Sequence, residues 1–143
     1  MSQANAPYSQ IYIAACEIVE ALAIELLGRS LTEAEQRGIW NAGSLKVLES
    51  VERNITECTL DAVAMRLVSI GASFDERLSA AHTQMIGALE EALGRPLSDS
   101  EKSSITRIKR IHQLMEIGER LRDGPPDNRS DIARHILDEH SHD

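Results

Sequence analysis

The residues best suited to chemistry are a few histidines, two cysteines and one run of cations. His82 sits in a helical stretch, Ala81-His82-Thr83-Gln84-Met85-Ile86-Gly87. An imidazole there could carry a proton or act as a nucleophile. His135 precedes Asp138 and Glu139 by three and four residues. That spacing puts an imidazole and a carboxylate on one helix face, where they could chelate a divalent cation. His140 and His142 follow in the same polar tail. Flexible ends seldom pre-organise tight sites, so a solvated polar tail is the simpler reading and no metal site is assigned. The cations are Lys102, Arg107, Lys109, Arg110, Arg120 and Arg122. On a continuous helix Arg107 and Arg110 lie one turn apart and could meet a phosphate backbone or an acidic protein surface. Pairing with the chain's own carboxylates is the simpler use. Lys102, Arg107, Lys109 and Arg110 are the candidate partner-binding residues.

The sequence contains no glycine-rich nucleotide loop, paired-thiol motif or His-Glu-x-x-His zinc motif. No catalytic set is therefore assigned, and no enzyme activity or cofactor is expected. The window around His82 is similar to the histidine phosphotransfer domain, a small acidic helical bundle. That family follows its helix-borne histidine with lysine at the third position and glycine at the fourth. Here those positions hold Met85 and Ile86, and Gly87 comes one residue later. The resemblance spans about seven residues and implies phosphoryl relay at His82, without the lysine that would steady the phosphoryl group.

The elements that must position these residues follow from composition and pattern. The chain has 143 residues, 42% of them apolar, enough for one compact domain. No run of about 18 apolar residues is present, so no membrane span is expected. The opening residues MSQANAPYSQ lack the pattern of a secretory signal. Cys16 and Cys58 suit a reducing cytoplasm and are read as free thiols. The net charge of −8 is uneven: residues 101–122 carry six basic and three acidic side chains. An acidic chain repels nucleic acid at long range. The aromatics are only Tyr8, Tyr12, Trp40 and Phe74, too few for the stacking platforms of single-strand binders.

Apolar spacing is helical throughout, which predicts an all-α fold of five to seven helices. The first helix spans about 7–27, with Tyr8, Tyr12, Ala15, Val19, Leu22 and Leu26 as its apolar stripe and Gly28 ending it. Thr32-Glu33-Ala34-Glu35 is a capping box that starts a second helix running to about 57. Gly38 and Gly43 inside it suggest close approach by a neighbouring helix. The stripe from Leu60 to Ala92 keeps one phase, but a single helix of that length would be ~51 Å long. A break at 70–73 is therefore expected, with Ser73 to Glu76 as a second box. Ser98 to Glu101 forms a third box, starting a helix to about 122. Ser130 caps a last helix over 131–139, and 140–143 should fray.

The strongest signal is an internal repeat. Residues 25–35 (ELLGRSLTEAE) and 91–101 (EALGRPLSDSE) match at six of eleven positions with an offset of 66. Each copy ends one helix at glycine, turns, and caps the next, which makes an αα-hairpin. The expectation is a duplicated helical unit, with halves of about 7–71 and 72–139 in a single domain. Arg29 and Arg95 recur at the same place and are expected to face the carbonyls of the preceding helix.

The function expected is binding: a small cytoplasmic adaptor, inhibitor or chaperone-like regulator that meets a protein partner through amphipathic helices, or self-associates as a dimer. A DNA-associated regulator using 102–122 is the alternative, and phosphotransfer at His82 the third.

Overall fold

A computed structural model describes residues 7–140. Among the described residues the chain is helical, with no strand. It divides into two compact units, Met1–Arg77 and Leu78–Asp143. Residues 141–143 of the expected frayed tail, His142 among them, lie outside the described residues, while His140 is still helical.

The first unit holds α1 (Tyr8–Leu27), α2 (Glu33–Trp40), α3 (Leu45–Glu57), a 3-10 turn at Leu60–Ala62 and α4 (Val63–Ser73). Gly28 ends α1 in the left-handed region at φ 71°, a conformation glycine adopts without steric penalty. Thr32 then caps α2. Its hydroxyl accepts from the Glu35 amide and the Glu35 carboxylate accepts from the Thr32 amide, so the capping box is complete.

The single helix expected over 33–57 is two helices. Gly43 takes φ 87°, which an α-helix excludes, and Ser44 restarts the chain by accepting from the Val47 amide at 3.2 Å. The Tyr12 side chain from α1 fixes this corner. Its hydroxyl donates to the Trp40 carbonyl at 2.7 Å and accepts from the Gly43 amide at 2.9 Å. Gly43 is thus a turn residue, and the close helix approach belongs to Gly38 alone of the two. A methyl group on Gly38 would collide with the Leu67 carbonyl of α4, and one on Gly71 would come within 2.9 Å of the Gly38 nitrogen. Helices α2 and α4 therefore cross backbone to backbone. Around that crossing the unit buries Tyr12, Cys16, Val19, Ile39, Leu48, Val51, Ile55, Val63, Leu67 and Phe74. Both cysteines are free, as expected.

The break expected at 70–73 falls at Phe74, one residue later. Ser73 does not cap there, because its hydroxyl donates to the Ile70 carbonyl at 2.6 Å. Helix α5 (Asp75–Leu93) starts beyond it and supplies most of its length to the second unit.

That unit continues with α6 (Asp99–Thr106), α7 (Ile111–Asp123), a 3-10 turn at Pro126–Asn128 and α8 (Arg129–His140). Ser98 and Glu101 form the second complete capping box. The helix expected over 98–122 is broken at 107–110, where buried Ile108 tucks under the loop and Arg110 is extended. Ser130 lies inside α8 rather than at its cap, since the turn at Pro126–Asn128 brings the helix start forward. The core gathers Leu89, Leu97, Ile105, Ile108, Leu114, Ile117, Leu121, Ala133, Ile136 and Leu137.

Candidate interaction surface

The arginines of the two Leu-Gly-Arg-x-Leu turns do not face the helix behind them. Each reaches forward to the capping-box glutamate. Arg29 binds both carboxylate oxygens of Glu35 at 2.8 Å, and Arg95 binds those of Glu101 at 2.9 and 3.0 Å. The paired guanidinium, helped by the cap amide, holds each carboxyl well below its usual range, at about 2. Each arginine thus braces the capping box that follows it.

The candidate cations fare differently from the sequence reading. Lys102 is on α6 and exposed, while Arg107, Lys109 and Arg110 lie on the loop between α6 and α7. Arg107 and Arg110 therefore do not share a helix face, and no continuous basic helix exists over 102–122 to lie in a groove. The structure brings the three loop cations together at one corner, but not with Arg120, which pairs with Glu139 at 2.9 Å. His82 packs under the same corner: its Nε2 is 2.7 Å from the Ile108 carbonyl, so that nitrogen is the N–H donor. His82 thus holds the loop of the second unit as Tyr12 holds that of the first. In the tail, His135 Nε2 lies 3.1 Å from Glu139, whose carboxylate Arg120 also occupies. Among the described residues no group of three or more His, Cys, Asp or Glu could hold a metal ion.

The feature that stands out lies elsewhere. The stripe expected on α1 is shifted: the helix buries Tyr12, Cys16, Val19 and Ala23, while Tyr8 is 44% exposed. A second stripe, Ile11, Ala15, Ile18 and Leu22, steps by four, three and four and lies ~100° round the helix from the buried one. Ile11 is 46% exposed and Ile18 67%. Ala15, Ile18 and Val19 line one wall of a groove of about 280 Å³. Its other wall is α3, with Leu45, Leu48, Glu49 and Glu52. Tyr8 closes one end by accepting from the Leu45 amide at 2.9 Å. Further exposed apolar side chains are Leu60 of the 3-10 turn and Met65 and Val68 of α4. Among the described residues, every large apolar side chain left exposed belongs to the first unit.

Sequence reasoning missed this surface because α1 is apolar on two adjacent sides. The signal was present in the spacing of Ile11, Ala15, Ile18 and Leu22, but which side the core covers depends on where α2, α3 and α4 pack. No helix of the described residues is long and apolar enough to cross a membrane. No protein-family model, curated protein or solved structure matches this chain.

Proposed function

We propose that the protein is a non-catalytic interaction module that receives one amphipathic helix of a protein partner in the groove between α1 and α3. The observation that carries this reading is the confinement of large exposed apolar side chains to the first unit. Isolated exposed leucines need no explanation, but an apolar helix stripe beside an apolar groove is the form taken by helix-in-groove recognition. The partner is a different protein rather than a second copy. The groove is edged by Glu25 of α1 and lined by Glu49 and Glu52 of α3, so two copies meeting through it would set glutamates against glutamates.

The duplication read in the sequence belongs to the same proposal. Helices α2 and α3 and the 3-10 turn at Leu60–Ala62 begin and end 66 residues before their counterparts in the second unit, which supports one ancestral unit used twice. On this reading the copy that leaves its large apolar side chains exposed is the one that binds.

The test uses an 18-residue helical peptide with leucine at positions i, i+3, i+4 and i+7 and glutamine elsewhere. Titrated against the full chain by calorimetry, it should bind with a Kd below about 100 μM, or about −5.5 kcal/mol. The double variant Ile11→Asp, Ile18→Asp should lose at least tenfold while keeping its circular dichroism, since both sites are exposed. Unchanged affinity in that variant refutes the assignment of the groove.

A further inference from the structure

We infer that the helix this groove selects is basic, and that Glu49 and Glu52 are the residues that select it. The inference rests on the groove reading and adds the chemistry of the partner. Both glutamates line the α3 wall, directly opposite Ile18 and Ala15. Glu49 is held only by an exposed pair with Arg53 at 3.4 Å, its side chain 72% exposed. The wider field agrees: residues 1–77 carry 6 basic and 11 acidic side chains, a net charge of −5. An amphipathic helix seated on the apolar floor places the residues flanking its anchors over this rim. Lysine or arginine there meets the exposed Glu49 carboxylate and the half-buried Glu52 one turn on. An acidic flank would be repelled, and a neutral one would gain nothing.

The corresponding cleft of the second unit supports this role for the glutamates. The positions 66 residues after Glu49 and Glu52 are Met115 and Gly118. The position after Ile18 is Gln84 and that after Val19 is Met85. The Met85 side chain lies over Gly118, its Cε 3.4 Å from where a methyl on that glycine would be. The second unit is also grooved between α5 and α7, about 420 Å³ lined by Ala88, Glu91, Ala92, Gly118, Leu121 and Arg122, but at the positions matching Ile18, Glu49 and Glu52 it has neither an exposed isoleucine nor a carboxylate. The two clefts thus differ together in apolar exposure and in charge, as expected if the glutamates act with the apolar floor on one ligand. One peptide should bind per chain.

The experiment compares three 18-residue peptides on the full chain. All carry the same leucine face, with the remaining positions lysine, glutamine or glutamate. At 50 mM salt the lysine peptide should bind about tenfold tighter than the glutamine peptide, and the glutamate peptide more weakly than either. The preference should shrink toward twofold at 500 mM salt, as screened surface charges require. In the Glu49→Gln, Glu52→Gln variant, the lysine and glutamine peptides should bind alike while the glutamine peptide keeps its wild-type affinity. Equal binding of lysine and glutamine peptides to the wild type overturns this inference and leaves the groove standing, as does a preference that survives in the double variant. Binding of none of the peptides overturns the groove itself. A concentration-dependent dimer by sedimentation, abolished by Ile18→Asp, overturns both by making a second copy the occupant.

Discussion

Glu35→Gln should destabilise the first unit more than Glu101→Gln destabilises the second, although the two glutamates sit in the same motif. Each carboxylate accepts from an arginine fork and from the cap amide. The difference is solvent: the Glu35 side chain is 5% exposed and that of Glu101 26%. A carboxyl held at about 2 against an ordinary 4.5 corresponds to about 3 kcal/mol of stabilisation of the charged form. For buried Glu35 most of this should be lost with the charge, about 2–3 kcal/mol. For Glu101 water replaces part of the interaction, and about 1 kcal/mol is expected. Urea denaturation at pH 7 separates the two, because Trp40 is the only tryptophan and belongs to the first unit. Its fluorescence transition should move to lower urea in Glu35→Gln and stay in place in Glu101→Gln, whose loss appears by far-ultraviolet circular dichroism. The pH dependence has a definite sign. Because the folded-state value is depressed, the stabilisation is complete above the ordinary carboxylate range and is lost as pH falls from about 4.5 toward 2. Glu35→Gln should flatten that part of the first unit's acid transition. A loss in Glu101→Gln equal to or greater than that in Glu35→Gln would refute the argument from burial.

Two other predictions concern single positions. Gly38→Ala should cost about 3 kcal/mol or more by urea denaturation, because the new methyl meets the Leu67 backbone. Gly87→Ala, in open space on α5, should instead stabilise by about 0.5–1 kcal/mol, and the same sign at both sites would contradict the crossing geometry. Cys16 is fully buried, and burial pushes its thiol up to about 12, so a disulfide reagent at pH 8 should titrate Cys58 in the native chain and reach Cys16 only on unfolding.

The helical class and both completed capping boxes were legible because they are local. A hydroxyl and a glutamate three residues on cap a helix whatever packs above them. The corner after Trp40 was partly legible, since Gly43 and Ser44 are a turn glycine and a cap, yet a glycine inside an apolar period reads equally well as a helix contact. The break at 107–110 carried no such mark. Neither glycine nor proline is present there, and what turns the chain is Ile108 entering the core while His82 donates to its carbonyl. That contact spans 26 residues and no window shows it. The forward reach of Arg29 and Arg95 was missed for a subtler reason. The macrodipole argument is sound for a cation past a helix end, but a two-point bond to a carboxylate is worth more than a partial charge. The exposed apolar face of α1 needed knowledge of which side of the helix is covered, and that is a property of the assembled unit.

The meeting of Gly38 and Gly71 also bears on how the first unit moves. Two backbones in contact with no side chains between them have no rotamers to rearrange, so the joint cannot loosen by degrees. It is closed, or α2 and α4 have separated and exposed the core beneath. Slow breathing of the groove must therefore come from α1 and α3, whose facing walls end in flexible isoleucine, leucine and glutamate side chains. Amide hydrogen exchange would record this as two classes: α2 and α4 opening together at the unit's full unfolding free energy, and α1 with α3 opening more often. If the groove receives helices as proposed, walls free to adjust beside a hinge-less scaffold would let it admit partners of different girth without unfolding.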